Sequence, residues 1–331
     1  MKAELIYNPF SGQIDIRHEI EVIVNYLSHN GWIVSLRETS KPKEATILSR
    51  QAVERGAEVV VAAGGDGTIN EVANGLVGSD AAMGVIPLGT TNVWAIQMGI
   101  PTLNPMLRNA KMANLIADME KRISRSLPAN YYRKVLLDAA KVLLEGKTVA
   151  VDVGEVSGRY FLMWAGIGFD AAVTESISTT DKRALGSWAY VLPTLNKAHK
   201  YHETDIYMNT SGNLRKFSTP WVVVSNIQLY GGFLPIGAKA CLNDGSLDVC
   251  IFEGDGFFTF AQHALKVLSR QHLKDPKVKY FQASEISIKA DYALPVHIDG
   301  EPFNTTPITI RTIPSALNVI VPQKTPKHLI N

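Results

Sequence analysis

The residues best suited to chemistry lie in AAGGDGTINEVANGL, residues 62–76, where an apolar run gives way to Gly64, Gly65, Asp66, Gly67 and Thr68 before a helical pattern begins. Glycines at a strand-to-helix turn let backbone N–H groups approach phosphate oxygens, and the N-terminus of the following helix adds partial positive charge. The loop therefore reads as a phosphate cradle, in which Asp66 offers oxygen ligands to a hard cation such as Mg2+. A tight turn without a ligand is the alternative. No Gly-Lys-Ser/Thr follows and the glycine spacing is not GxGxxG, so neither common nucleotide fingerprint applies. Two acidic turns, NDG at 243–245 and DGE at 299–301, are also candidates, although Asp-Gly between strand-like runs is first of all a hairpin signal. His199, His202, His263 and His272 form no His-x-x-x-His zinc pair, and Cys241 and Cys250 read as inert thiols.

Positioning these residues requires two kinds of architecture. Up to about residue 100, short β-branched runs at 3–9, 32–39, 58–65 and 83–89 alternate with helical stretches near 15–30, 43–56, 68–77 and 91–99. That alternation predicts a parallel sheet in a three-layer α/β/α domain, with ligands at the carboxyl ends of its strands. Residues 104–147 break the rhythm with a helical, basic stretch in which about nine Lys or Arg face about four Asp or Glu. It reads as a linker helix pair with a solvated face, or as an element that touches anionic membrane. From 148 onward strand-like runs separated by Gly- and Asn-rich turns predict an antiparallel β-sandwich, interrupted by helices near 185–199 and 257–272. The expected division is 1–147, 148–315, and a segment 316–331 that returns to the first domain.

With 33 basic and 31 acidic residues among 331, there is no chain-wide field to hold nucleic acid, and none is expected as a partner. Two cysteines cannot build a disulfide framework, and no apolar run approaches a membrane span, so a cytoplasmic setting is expected.

Six separated stretches, NPFSG (8–12), GGDGTINEVANGL (64–76), PLGTTN (87–92), LGSWAYVL (185–192), NDGSLDV (243–249) and HIDGEPF (297–303), together resemble the soluble bacterial diacylglycerol kinase-like family of lipid kinases, whose catalytic domain sphingosine and ceramide kinases share. The resemblance runs in order along nearly the whole chain. It implies ATP as phosphoryl donor, bound by Asn8, Ser11, Gly12, Thr39, Gly64, Gly65, Asp66, Gly67, Thr68, Glu71, Thr90 and Asn92. It implies that Asp299 or Glu301 takes the proton of the acceptor hydroxyl, and that Asp66 and Asp152 serve a Mg2+ network. It further implies a second, structural Mg2+ at the NDG turn, held by Asp244 and the carbonyls of Cys241 and Ser246; an ordinary hairpin turn is the equal alternative.

One departure bears on the acceptor. Relatives acting on diacylglycerol often carry Asn-Asp where this chain has Asn92-Val93, and the stretch between residues 101 and 151 is longer than usual by roughly thirty residues. Three readings result: a lipid kinase acting on a diacylglycerol-like, sphingoid or other lipid alcohol, peripheral to the inner face of the membrane; an NAD kinase-like enzyme with a similar GGDGT loop; and a nucleotide-binding regulatory protein without catalysis. Exposed strand edges in the second domain leave a homodimer open.

Overall fold

The computed structural model describes residues 1–12, 16–103, 129–169, 171 and 203–330. The expected helix at 185–199, the LGSWAYVL stretch and residues 104–128 of the basic segment 104–147 lie outside the described residues. The chain divides into two units, one of Met1–Ala150 with Leu317–Pro326, the other of Val151–Ala316 with Lys327–Asn331.

In the first unit β1 (Lys2–Tyr7), β2 (Ile33–Glu38), β3 (Val59–Gly64) and β4 (Ala82–Pro87) alternate with α1 (Arg17–His29), α2 (Glu44–Glu54), α3 (Asp66–Leu76) and α4 (Val93–Met98). The strands are parallel in the order β2-β1-β3-β4. Right-handed crossovers in that order put α1 on one face of the sheet and α2 and α3 on the other. Every residue of β3 and β4 is buried, as expected of parallel strands covered on both sides, whereas edge strand β2 is mostly exposed. α2 and α3 cross closely at Gly75, where a Cβ would fall 1.9 Å from Ser49 Oγ and 2.7 Å from the Thr46 carbonyl oxygen. α5 (Ala129–Glu145) packs against α1 and β4.

The second unit is built from two antiparallel sheets. One holds β12 (Val278–Ala283), β11 (Leu247–Phe252), β10 (Trp221–Ser225), β7 (Trp164–Gly168), β14 (Pro295–Ile298) and β15 (Glu301–Thr305) in that spatial order. In the other, β13 (Glu285–Ala290) pairs with β8 (Asp205–Thr210) and with the first half of β16 (Ile308–Val321), and β8 pairs with β9 (Asn213–Ser218). β5 (Lys147–Val156) pairs with β6 (Arg159–Phe161). Inward residues of both sheets, among them Ile206, Met208, Val222, Val224, Ile251, Ile286 and Ile298, fill one core, as the alternation along each strand requires. Phe161, Met163 and Trp164 are all buried. α6 (Gly256–Leu268) follows β11.

The last strand serves both units. Ile308–Arg311 of β16 pair with β13, while Asn318 and Val319 run parallel to Ala82 and Met83 of β4. The tail expected to stay with the first domain through 331 instead leaves it after Pro326. Leu329 is buried in the second unit, its carbonyl accepting the Leu242 N–H at 2.9 Å.

Candidate active site

Three loops meet at the carboxyl edge of the parallel sheet. After β1, Asn8 donates its side-chain amide to Thr68 Oγ1 at 3.0 Å and accepts the Phe10 N–H at 3.0 Å, which turns the chain so that Ser11 Oγ accepts the Gly65 N–H at 3.2 Å. Gly12 follows with φ +85°, and a Cβ there would fall 2.6 Å from the Leu88 carbonyl oxygen. After β4, a Cβ on Gly89 would lie 2.7 Å from the Gly65 Cα, so the two glycine loops touch backbone to backbone. The PLGTTN turn is closed by buried Asn92, which adopts φ +53° and exchanges two hydrogen bonds with Gly89.

α3 begins at the centre of these loops. Its first internal bond runs from the Ile69 N–H to the Gly65 carbonyl, and no side chain caps it. The amides of Asp66, Gly67 and Thr68 thus belong to the set that a helix N-terminus leaves without an internal acceptor. Gly67 is exposed. This concentration of donors suits an anion.

Two of the expected site residues are engaged in capping neighbouring helices. The Asp66 carboxylate accepts the Val93 N–H at 3.0 Å and the Trp94 N–H at 3.2 Å, and so caps α4 from 27 and 28 residues away. The residue is half-buried but its carboxyl is enclosed, and burial pushes it above the usual carboxylate range against the pull of those amides. Each oxygen spends one lone pair on an amide and keeps another, which leaves the group fit to meet a cation directly or through water. Glu71 likewise accepts the N–H groups of Lys43 and Ala45, at 2.9 and 3.1 Å, at the start of α2. Position 93 contributes its backbone amide to Asp66, and the Val93 side chain is buried. Thr39 is buried at the end of β2, its N–H bound to the Tyr7 carbonyl. Thr90 lies half-buried in the PLGTTN turn.

In the second unit the two acids of the DGE turn have unlike surroundings. Asp299, at φ +49°, accepts the backbone N–H groups of Leu162, Met163 and Trp164 at 2.9–3.0 Å, pinning the chain before β7. Glu301 is half exposed and pairs with Arg159. Sequence reasoning missed Arg159, a lone basic residue in a hairpin 142 positions away. No local pattern announces such a partner.

Asp152, expected in a metal network, is 1% exposed and spends its two oxygens on the amides of Gly245 and Ser315, at 2.6 and 2.7 Å. It acts as a clamp within the second unit. At the NDG turn Asp244 accepts the Ser246 N–H at 3.0 Å and the Gln282 amide at 3.0 Å. The Cys241 thiol turns to Asn243. Nearby Asp248, which accepts the Tyr280 hydroxyl at 2.6 Å, is pushed up to about 6 by burial. Among the described residues no three His, Cys, Asp or Glu side chains converge as a metal cluster.

Comparison with known proteins agrees with this arrangement. Residues 2–156 match the diacylglycerol kinase catalytic domain, and residues 164–321 match the YegS C-terminal NAD kinase beta sandwich-like domain. The diacylglycerol kinase of Bacillus subtilis (strain 168) is 27% identical over 330 residues, covering 99% of both chains. That of Staphylococcus carnosus (strain TM300) is 26% identical over 325 residues, covering 97% of this chain and 95% of its own. A crystal structure from Bacillus anthracis str. Sterne shares the fold with a TM-score of 0.77 at 23% identity, over 98% of this chain and 96% of that one. The two matched domains, which together run along nearly the whole chain, and these relatives define a lipid kinase, and the chain belongs to the soluble bacterial diacylglycerol kinase-like family.

Proposed function

We propose that this protein transfers the terminal phosphoryl group of ATP, with Mg2+, to the hydroxyl of a diacylglycerol-like or sphingoid membrane lipid. In this reading the first unit binds the nucleotide and the second supplies the proton acceptor. The observation that carries it is the uncapped N-terminus of α3, set among glycine loops at the carboxyl edge of a parallel sheet.

In phosphoryl transfer the protein mainly positions the reactants and stabilises charge. The amides of Asp66 to Thr68 would hold phosphate oxygens, Asn8 and Ser11 would fix the loop around them, and Thr39 and Thr90 would border the nucleotide. Mg2+ would be held at Asp66, where it would neutralise charge on the phosphates. Glu71 and Asn92 would act through the helices and turn they hold. Of the two acids in the DGE turn, Glu301 is the better proton acceptor, because Asp299 already serves three amides. Arg159 would orient Glu301. A peripheral meeting with the bilayer fits a chain in which no described helix is long and apolar enough to cross one.

The test is mass spectrometry of a lipid extract incubated with protein, ATP and Mg2+. One lipid class should gain the mass of a phosphate, and the gain should vanish with Asp66→Ala while nucleotide-free folding persists. Asp66→Asn, which keeps one acceptor for the α4 amides, should unfold at a higher temperature than Asp66→Ala and be equally inactive. Normal lipid turnover by Asp66→Asn would sink the assignment of the cation to this carboxylate.

A further inference from the structure

Besides the DGE turn, the second unit holds a cavity of about 430 Å³ beside β9 and β12, the outermost strands in their sheets. Three cations, Arg215, Lys239 and Lys279, line it together with Phe217, Leu273 and Phe281, and no acid does. Lys279 pairs with Glu253 at 3.2 Å, but Arg215 and Lys239 enter no ion pair among the described residues. The Arg215 guanidinium lies 5.4 Å from the centroid of the Phe281 ring, and the Phe217 and Phe281 rings stack within 18° of parallel. The wall is anchored from behind. The Lys239 N–H donates to the Tyr280 hydroxyl at 3.0 Å, and that hydroxyl donates to Asp248. The adjoining segment adds exposed Arg270, Lys274 and Lys277, while its one acid, Asp275, is already paired with Lys266 at 2.8 Å.

Like charges gathered around one cavity repel each other unless a counter-anion joins them. A guanidinium flanked by ammonium groups matches the geometry of a phosphate. Free phosphate has no use for the apolar part of the lining, whereas a phosphate ester with an apolar tail does, because Phe217 and Leu273 can cover its first carbons. We propose that this cavity binds the phosphate headgroup of an anionic phospholipid, as a site separate from the residues assigned to phosphoryl transfer.

The test uses the full chain without ATP, so its failure leaves the kinase reading untouched. Co-sedimentation is measured with vesicles of phosphatidylcholine alone and of phosphatidylcholine mixed with phosphatidylglycerol. The protein should prefer the mixed vesicles, and Arg215→Ala with Lys239→Ala should weaken that binding about tenfold or more. The charge-matched pair Lys324→Ala with Lys327→Ala, exposed elsewhere, should not. Phe217→Ala should weaken vesicle binding and leave any affinity for inorganic phosphate unchanged. Equal binding to both vesicles, or equal losses in the two double variants, would overturn the proposal. So would inorganic phosphate binding as tightly as the lipid, with vesicle binding unchanged by Phe217→Ala, which would make the cavity a site for the free ion. Melting curves of each variant confirm that the fold is intact.

Discussion

Asp299 and Glu301 stand two positions apart in unlike surroundings, the one holding three amides and the other an exposed ion pair. Removing charge from Asp299 leaves three backbone amides facing an amide side chain that can accept with only one of its two polar atoms. Asp299→Asn should therefore cost about 1–3 kcal/mol of stability, seen as a lower urea midpoint. Glu301→Gln touches one exposed ion pair and should leave that midpoint nearly unchanged. Its phosphoryl transfer should fall by about 10²–10⁴-fold, the range for loss of a general base. If Asp299→Asn proved the stable and inactive variant, the two roles would have to be exchanged. The pair was visible in the sequence as candidates, but its division of labour was not. The amides that occupy Asp299 come from residues more than 130 positions earlier, and only the strand pairing brings them there. Asp66 teaches the same lesson, since its position in a glycine loop is plain but its role as cap of α4 depends on a turn in another motif.

Helices α2 and α3 meet because one residue has no side chain. At Gly75 a methyl group would overlap Ser49 Oγ and crowd the Thr46 carbonyl. Gly75→Ala, which normally favours a helix interior, should here destabilise by about 1–3 kcal/mol through overpacking. Ser49→Ala should restore only part of the loss, because the Thr46 carbonyl remains in the way. A melting temperature equal to or above that of the parent would refute the account. The strands of the first unit were legible almost to the residue, because buried parallel strands leave unbroken apolar runs between turn signals. The neighbours of strands in the second unit were not. β7 lies between β10 and β14, and alternation along a strand shows which face is inward without naming the strand beside it.

Stability of the molecule as a whole should depend on pH through two buried histidines. His263 and His272 turn Nε2 to the carbonyls of Glu253 and Ile236, at 3.0 and 3.2 Å, so Nε2 carries the proton and Nδ1 is bare. Among the described residues neither Nδ1 has a hydrogen-bond partner, although His263 Nδ1 lies 3.7 Å from Asp275. Burial holds both rings below their ordinary value of 6.5. Their contribution is intact above that value, where folded and unfolded chains are both neutral. It is lost as the pH falls from 6.5 through the depressed folded values, because the unfolded chain takes up protons first. The thermal midpoint should drop across that window with proton uptake on unfolding, and His263→Gln with His272→Gln should flatten the drop. An unchanged slope in the double variant would exclude the two rings as its source.

The shared strand β16 also orders events during synthesis. β4, apolar along its whole length, receives its second neighbour only when Leu317 to Val321 have been made, more than 200 residues later. While the nascent chain grows on the ribosome, the first unit has an unzipped flank, and its open hydrogen-bonding groups invite pairing with a stranger. The sheet of the first unit can close on that side only after Leu317 to Val321 have been added.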